Sequence, residues 1–479
     1  MRNTLCLFVF ILAFTSAKAE VYFGQNCKLI YGATVNYDFV TAKALLIKEQ
    51  QERPDNLSIL YLGHLQDLLR LYLTEDEEAY QRFMANTSQT INQLKSEEES
   101  AYRDLMIGEL YLFRAVLKLK FQENLSAALN LLKAKNTIEK CAVDYADFIP
   151  IKLSLGVLHA FIGAVPNQYK PYISMLGFRG TVKQGVQEID VVRHSSEFYL
   201  KDLAGLLQSF VVNELTPDER LNLSHYEVSM ESLMSQCYQA KLWTQNGKSE
   251  KAISLLSENL DHYKSLETYF PYYLLGKAKL FRLDKDSDLP LLEFVKHYKG
   301  KNYLKSAHLY LAMYYFLEDD KKHFEYHKSQ IGEVGFDYVG ADQQALRRLQ
   351  NWPEKPLLRA QLLYDGGLYQ QSITELSEFS KVNLADDVQL ECNYRLASSY
   401  LKLGQIEKAE ALIDKILTNE YSKDYFQPNA ALKFAVVYEA KGDISKALTY
   451  YNKVLLFENY PYERSISQKA KAGLIRLSN

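Results

Sequence analysis

Along most of the chain, apolar residues recur every three to four positions and charged residues fill the gaps, the pattern of amphipathic helices with one face buried. The pattern is broken at regular intervals toward the C-terminus. Gly367, Gly404 and Gly442 stand 37 and 38 residues apart. Seven residues before each lies Ala360, Ala397 or Ala435, and five after each lies Ser372, Ala409 or Ala447. Four further on come Leu376, Ile413 and Tyr451. ASSYLKLGQIEKAEALI and AVVYEAKGDISKALTYY show the register best. It predicts pairs of antiparallel helices: small residues let the axes approach to about 8–10 Å, and the glycine turns the chain in a left-handed conformation.

This small–Gly–small register resembles the tetratricopeptide repeat, with links between pairs slightly longer than that family's. Weaker copies lie upstream. AKLWTQNGKSEKAISLL carries Ala240, Gly247 and Ala252, while LYLAMYYFLEDDKKHFEYH keeps a helical pair around Asp319-Asp320 without the glycine. Ala115 and Ala127 match the two small positions in the N-terminal half. Tyr462 to Leu477 reads as a single amphipathic capping helix, which such arrays need. Thr74-Glu75-Asp76-Glu77, Ser96-Glu97-Glu98-Glu99 and Thr216-Pro217-Asp218-Glu219 have the form of helix-starting capping boxes. The expected fold is all-α, a helical-repeat (TPR-like) superhelix with an N-terminal helical domain. Its expected divisions are a leader at 1–19, the N-terminal domain at 20–215 and the array with its cap at 216–479.

One stretch departs from the helical pattern. Ala160 to Ile189 holds two prolines and four glycines in an apolar, aromatic setting. A helix from about Ile151 is expected to stop before Pro166. Pro171 then opens a short helix, Tyr172 to Leu176, that stops at Gly177, and Gly180-Thr181 cap a third helix through Ile189. GVLHAFIGAVPNQYKPYISMLGFRGTVKQGVQEI resembles the central motif of the eukaryotic inclusion-body-clearance family of mitochondrial outer-membrane tetratricopeptide proteins. The matching positions are Pro166, Leu176, Gly177, Phe178, Gly180 and Gly185, over about 40 residues. The resemblance implies a helical scaffold with no known catalytic centre. The chain departs from that family in carrying an apparent export signal, so the family's cellular role does not transfer.

That signal is MRNTLCLFVFILAFTSAKAE: Arg2, an apolar run from Leu5 to Phe14, and Ala17-Lys18-Ala19 as a cleavage site. The run falls well short of the roughly 20 residues that span a bilayer. A cleaved leader and a periplasmic or outer-membrane-associated protein, a bacterial relative, are expected. Cleavage removes Arg2 and Lys18, leaving 54 basic against 59 acidic residues and a net charge of −5. Nucleic-acid binding, which needs a concentrated basic surface, is not expected. Cys27, Cys141, Cys237 and Cys392 have neither metal-site nor scaffold spacing, so mostly buried thiols are expected, with Cys27–Cys141 the first choice for a bridge. The sequence has 36 tyrosines, which suit helix seams where the ring packs and the hydroxyl reaches water. N-x-S/T triplets begin at Asn56, Asn86, Asn124 and Asn222.

Chemistry-bearing motifs are sparse. There is no nucleophile elbow, no P-loop and no dinucleotide fingerprint. His323 and His327 share a helix face at i and i+4, with His308 on the preceding helix. Glu325 is one residue too late for a zincin motif, and no third ligand completes a site. Neither an enzyme nor a cofactor nor a metal is therefore expected. A repeat array offers a groove instead. Gln361, Ser398 and Val436 follow the small residues and face it. They lack the Asn and basic groups used to clamp peptide carboxylates, and Tyr364, Tyr394, Leu401 and Leu432 suggest a more apolar groove for a partner peptide or helix. The candidate partner-binding set is Gln361, Tyr364, Tyr394, Ser398, Leu401 and Leu432. The expected function is a non-catalytic scaffold or assembly factor that binds another envelope protein or peptide segment. The alternative is a binder of lipid or another apolar ligand at the elbow, through Tyr169, Tyr172, Phe178 and Arg179, with peripheral association with the outer membrane. A metal-dependent hydrolase using His323 and His327 is the third class. The elbow itself also has a structural reading, a wedge joining two helical layers. Asn167, Gln168, Lys170 and Arg179 interrupt its apolar surface and disfavour insertion into a membrane.

Overall fold

A computed structural model describes residues 20–165, 170–175, 177–215, 232–350, 352–419 and 424–478. The leader, Pro166, Tyr169, Leu176, Asn222 and the helix start at Thr216 lie outside them. Two compact units are present: the described residues of Met1–Tyr72 with Glu78–Val211, and those of Leu73–Glu77 with Val212–Asn479. Regular structure is helical in both, apart from one isolated bridge between Glu20 and Asn56.

The first unit contains α1 (Gln25–Val35), α2 (Phe39–Glu52), α3 (Ser58–Thr74), α4 (Glu77–Ser96), α5 (Ala101–Lys120) and α6 (Asn124–Asp144). It continues with α7 (Ile151–Ala164), α8 (Lys170–Met175), α9 (Val182–Arg193) and α10 (Lys201–Phe210). The second unit runs from α11 (Leu233–Gln245), α12 (Ser249–Glu258), α13 (Leu260–Ser265) and α14 (Phe270–Leu280) to α15 (Asp288–His297), α16 (Leu304–Leu317), α17 (Lys321–Glu333) and α18 (Gly340–Gln350). Then come α19 (Lys355–Asp365), α20 (Tyr369–Phe379), α21 (Asp386–Lys402), α22 (Ile406–Leu417), α23 (Phe426–Ala440), α24 (Ile444–Val454) and the last helix, α25 (Glu463–Ser478).

One turn joins the hairpins of both units. Tyr37, Gln122, Gly247, Leu283, Asp319, Gly367, Gly404 and Gly442 all have left-handed φ, between 59° and 86°. In every case the next residue's N–H returns to the carbonyl five residues earlier, as from Asp284 to Lys279 and from Gln405 to Tyr400. This six-to-one bond takes up a carbonyl that the ending helix leaves without a partner. Glycine adopts the conformation freely, whereas a residue with a Cβ does so at a cost of about 1–2 kcal/mol. In the three C-terminal hairpins the aligned small residues lie in the helix–helix seam, where Ala360, Ala397, Ala435, Ser372, Ala409 and Ala447 are all buried. Ala240 and Ala252 of α11–α12 and Ala115 and Ala127 of α5–α6 are buried at the equivalent places.

Three hairpin turns of the second unit meet, that of α19–α20 touching those of α11–α12 and α14–α15. An ideal Cβ on Gly367 would stand 1.9 Å from the Gly247 carbonyl oxygen, and one on Gly366 would stand 2.3 Å from that of Phe281. The turn of α11–α12 therefore lies against the turn of α19–α20, backbone to backbone. Many tyrosines occupy seams as their composition suggests. Tyr80, Tyr263, Tyr273 and Tyr451 are fully buried, and their hydroxyls meet Glu123, the Leu233 carbonyl, Ser306 and Glu439.

In the first unit the N-terminal arm is stitched to the α2–α3 connection. Glu20 N–H donates to the Asp55 carbonyl at 3.2 Å, and Leu57 N–H to that of Glu20 at 2.9 Å. Buried Asn56 anchors the arm: its side chain accepts from Tyr22 N–H and donates to the Tyr22 carbonyl and to Glu49. Glu109 is buried beneath it, accepting from the Tyr61 and Ser154 hydroxyls, and burial pushes its carboxyl above the usual range.

Buried polar groups in the second unit are met across helices. The α16 N-terminus has no local side-chain cap, and Asp342 of α18 supplies one, accepting from Tyr303 N–H at 2.6 Å and Ser306 N–H at 2.8 Å. Glu75 similarly accepts from the N–H groups of Lys301 and Asn302. His308 and His327 face each other, Nδ1 to Nδ1 at 2.9 Å, so one donates and the other accepts. Burial pulls both imidazoles down to about 4. An unfolded imidazole titrates near 6.5, so on acidification the unfolded chain takes up the protons first. The pair's stabilising contribution is complete above pH 6.5 and is lost as the pH falls toward 4. Imidazole nitrogen NMR at pH 5.5 is expected to show both rings neutral, and a charged ring at either position would contradict the pairing.

Several local expectations shift. Thr74 and Ser96 end α3 and α4 rather than starting helices, and the cap of α5 is Ser100, which accepts from Arg103 N–H. Glutamates after Ser96 mimic the box pattern, but α4 runs through to Ser96 and Ser100 is the residue in extended conformation. Cys27 and Cys141 are free, buried thiols that hydrogen-bond to the carbonyls of Tyr22 and Ala101 rather than to one another. Burial pushes them up to about 11 and about 12, which leaves them inert.

Candidate functional site

In the last three hairpins the first helices, α19, α21 and α23, turn their small residues toward their own second helices. The opposite side carries Gln361, Tyr364 and Asp365, then Tyr394, Arg395, Ser398 and Leu401, then Asn429, Leu432, Lys433 and Val436. Lys433 Nζ donates to Ser398 Oγ at 2.8 Å and to the Tyr364 hydroxyl at 3.4 Å. Its ammonium also lies 5.0 Å from the Tyr364 ring centroid and 4.8 Å from that of Tyr394. A lysine of α23 thus reaches α19, two hairpins away, so the first helices converge on this side and it is the inner side of the curve. Asn429 donates to the Tyr394 hydroxyl at 2.8 Å.

A second network adjoins it. Gln361 Oε1 accepts from Arg348 of α18 at 2.5 Å and from Arg395 at 3.2 Å, while Arg395 Nε holds Glu391 at 2.7 Å. The charges respond to their setting. Burial lowers Lys433 and Arg348 from their ordinary values, and burial raises the carboxyl of Asp365. Burial would lower Arg395 too, but Glu391 and Tyr425 hold it above its ordinary range. Lys433 and Arg348 have no carboxylate in ion-pair range among the described residues; hydroxyls, an amide and ring faces solvate them instead.

Of the six candidates, Gln361, Tyr364, Tyr394 and Ser398 meet in these two networks. Leu401 and Leu432 belong to the apolar cluster that also holds Tyr394, Phe434 and Tyr438. Charged and amide side chains thus join the tyrosines and leucines on this side. Arg395 and Lys433 are not among the expected residues, which follow each small position. They stand two before it, at matching places relative to Ala397 and Ala435, and that register is the signal in the sequence. Arg348 belongs to α18, outside the aligned repeats, and has no such signal.

The elbow is built by close helix crossing. An ideal Cβ on Gly185 would lie 2.4 Å from the Gly156 carbonyl oxygen, and one on Gly163 would lie 2.3 Å from Val182 N. His159 of α7 meets Glu188 of α9 at 2.6 Å. Thr181 caps α9 by accepting from Gln184 N–H, and Gly177 takes a left-handed turn at the end of α8. Of the ligand-contact candidates, Phe178 is turned into the protein, only 7% exposed and beside Lys135, which removes it from an outer contact. Arg179 is exposed, Tyr172 lies on α8, and Tyr169 is outside the described residues.

The histidines do not converge as a ligand set. His323 is exposed and bonded to Asp320 at 2.7 Å, while His327 faces His308. Among the described residues no group of three or more His, Cys, Asp or Glu side chains is placed to hold a metal, and no helix is long and apolar enough to cross a membrane.

Repeated turns, buried small residues and convergent first helices are together the attributes of one repeat type. The second unit is a tetratricopeptide-like array. Neither a protein-family model nor a curated protein matches the chain. Solved structures similar to it include the TPR domain of P58(IPK), 14% identical over 87% of this chain and 98% of that one, with a TM-score of 0.22. Yeast Tom70 is 13% identical over 95% and 89%, with a TM-score of 0.24. Cut9–Hcn1 of the APC/C is 12% identical over 94% and 97%, with a TM-score of 0.25. Superpositions this loose carry no weight, and the repeat assignment rests on the array's own turns and seams.

Proposed function

We propose that the protein is a non-catalytic interaction module that holds a segment of a partner protein along the inner side of α19, α21 and α23. The observation that carries this reading is the convergence of Arg348, Arg395 and Lys433 on that side. Two of these cations are solvated by side-chain hydroxyls, an amide and rings, not by a carboxylate. A largely desolvated cation of this kind gains most from an acidic or carbonyl-rich partner segment, to which charge-assisted hydrogen bonds are the stronger sort. In an exported protein the partner is another component of the cell envelope, in the periplasm or at the outer membrane.

The test is photo-crosslinking in living cells, with the crosslinking residue at Gln361 or, as the outward-facing control, at Thr374 on α20. One discrete adduct from position 361, absent from 374, is expected. Arg348→Gln removes a cation whose one side-chain hydrogen bond among the described residues is to Gln361, and is expected to reduce the adduct about tenfold, the scale of one charged hydrogen bond. Identical adducts from both positions would refute the inner-side reading.

A further inference from the structure

We propose that α8, with the described turn and helix start that follow it (residues 177–183), is a peripheral contact for an anionic lipid surface. From Gly163 to Gln187 the sequence carries Lys170, Arg179 and Lys183 and not one Asp or Glu, in a chain whose net charge is −3. All three cations are exposed, and none makes an ion pair or a side-chain hydrogen bond among the described residues. Between them stands Met175, 86% exposed, the highest value for any large hydrophobic side chain among the described residues. Phe161 of α7 is 42% exposed near the same corner and lies 6.3 Å from the Phe210 ring.

The turn that follows α8 is tied back to the helix and anchored by a buried ring. Phe178 N–H returns to the Ile173 carbonyl at 3.0 Å, Phe178 is buried, and α7 and α9 cross at their glycines. An exposed methionine in an acid-free stretch that carries three exposed, unpaired cations matches a surface with negative headgroups over acyl chains. The cations meet the headgroups, and the methionine reaches the boundary beneath them. The same charges that disfavour deep insertion favour this depth. Glu188 of α9 is already paired with His159, and Glu139 of α6 with Lys135 at 3.0 Å.

Each basic residue near an anionic membrane raises the partition constant by about fivefold, so the three together contribute roughly a hundredfold. Vesicle flotation tests this, using the chain from Glu20 onward with either pure phosphatidylcholine or phosphatidylcholine containing one-third phosphatidylglycerol. Flotation is expected with the anionic vesicles only. It is expected to fall roughly a hundredfold in the Lys170→Glu, Arg179→Glu, Lys183→Glu triple variant, and to weaken in Met175→Asp. Circular dichroism and the thermal midpoint check that the variants fold. If they do not, loss of wild-type flotation at high salt gives the same reading without substitution. Equal flotation with neutral vesicles, no flotation with either, or salt-insensitive binding would each overturn the proposal. A corner that docks on an acidic protein instead would give the second of these.

Discussion

Gly367→Ala is expected to destabilise the second unit by about 2–5 kcal/mol, while Gly404→Ala costs only about 1–2 kcal/mol. Both glycines have left-handed φ, 86° and 71°, so each alanine pays the conformational penalty of about 1–2 kcal/mol. The surroundings separate them. Nothing lies within 4 Å of a Cβ on Gly404, whereas a Cβ on Gly367 meets the Gly247 carbonyl oxygen at 1.9 Å and its carbon at 2.8 Å. The obstacle is backbone, which has no rotamer to change, so two hairpins have to separate. Overpacking of this kind adds about 1–3 kcal/mol. Urea unfolding followed by tryptophan fluorescence measures the difference well, because both tryptophans, Trp243 and Trp352, belong to the second unit. Equal midpoints for the two variants would mean that the turns are not in contact.

Asp342→Ala is the second substitution with a large expected effect, about 3 kcal/mol, against about 1 kcal/mol for Asp342→Asn. The carboxylate is fully buried, and its two oxygens take separate N–H groups at the start of α16. Tyr303 there has φ 66° and no local cap. Alanine leaves two buried donors unpaired, at about 1–3 kcal/mol each before relaxation. Asparagine keeps one acceptor. Burial pushes the Asp342 carboxyl up to about 6, so it is charged at pH 7, when the hydrogen bonds to it are strongest. Amide hydrogen exchange at Tyr303 and Ser306 reads the same event locally. Both amides are expected to lose protection in the alanine variant, and unchanged protection would assign the cap elsewhere.

The repeats were legible where glycine occupies the left-handed position and illegible where it does not. Tyr37, Gln122, Leu283 and Asp319 adopt the same turn with the same returning hydrogen bond, but nothing in those residue types announces a positive φ. Packing on both sides of the turn holds them there against their own preference. α14–α15 was missed entirely for that reason, and α16–α17 was readable only as a pair without its marker. At the elbow the end of α7 at Ala164 and the Thr181 cap of α9 were legible because they are set locally, while the short helix is Lys170–Met175 where Tyr172–Leu176 was expected and α9 runs on to Arg193. The inner side of the array was half legible. Its tyrosines and Gln361 follow from the register, but the cations that join them depend on which hairpins converge, and that is tertiary information.

The docked N-terminal arm bears on how the protein can be made. Asn56-Leu57-Ser58 is an acceptor sequence for N-linked sugar, yet the Asn56 amide is buried and donates to the Tyr22 carbonyl and Glu49. Oligosaccharide transfer takes place on the unfolded chain, before burial protects the site. A secretory pathway that glycosylates therefore sets sugar and fold in competition for one nitrogen, and each molecule modified at Asn56 has lost the anchor of its N-terminal arm. Asn86 and Asn124 are exposed and carry no such conflict. Where a host glycosylates, the order of sugar transfer and folding, and not the stability of the finished fold, decides whether it yields native protein.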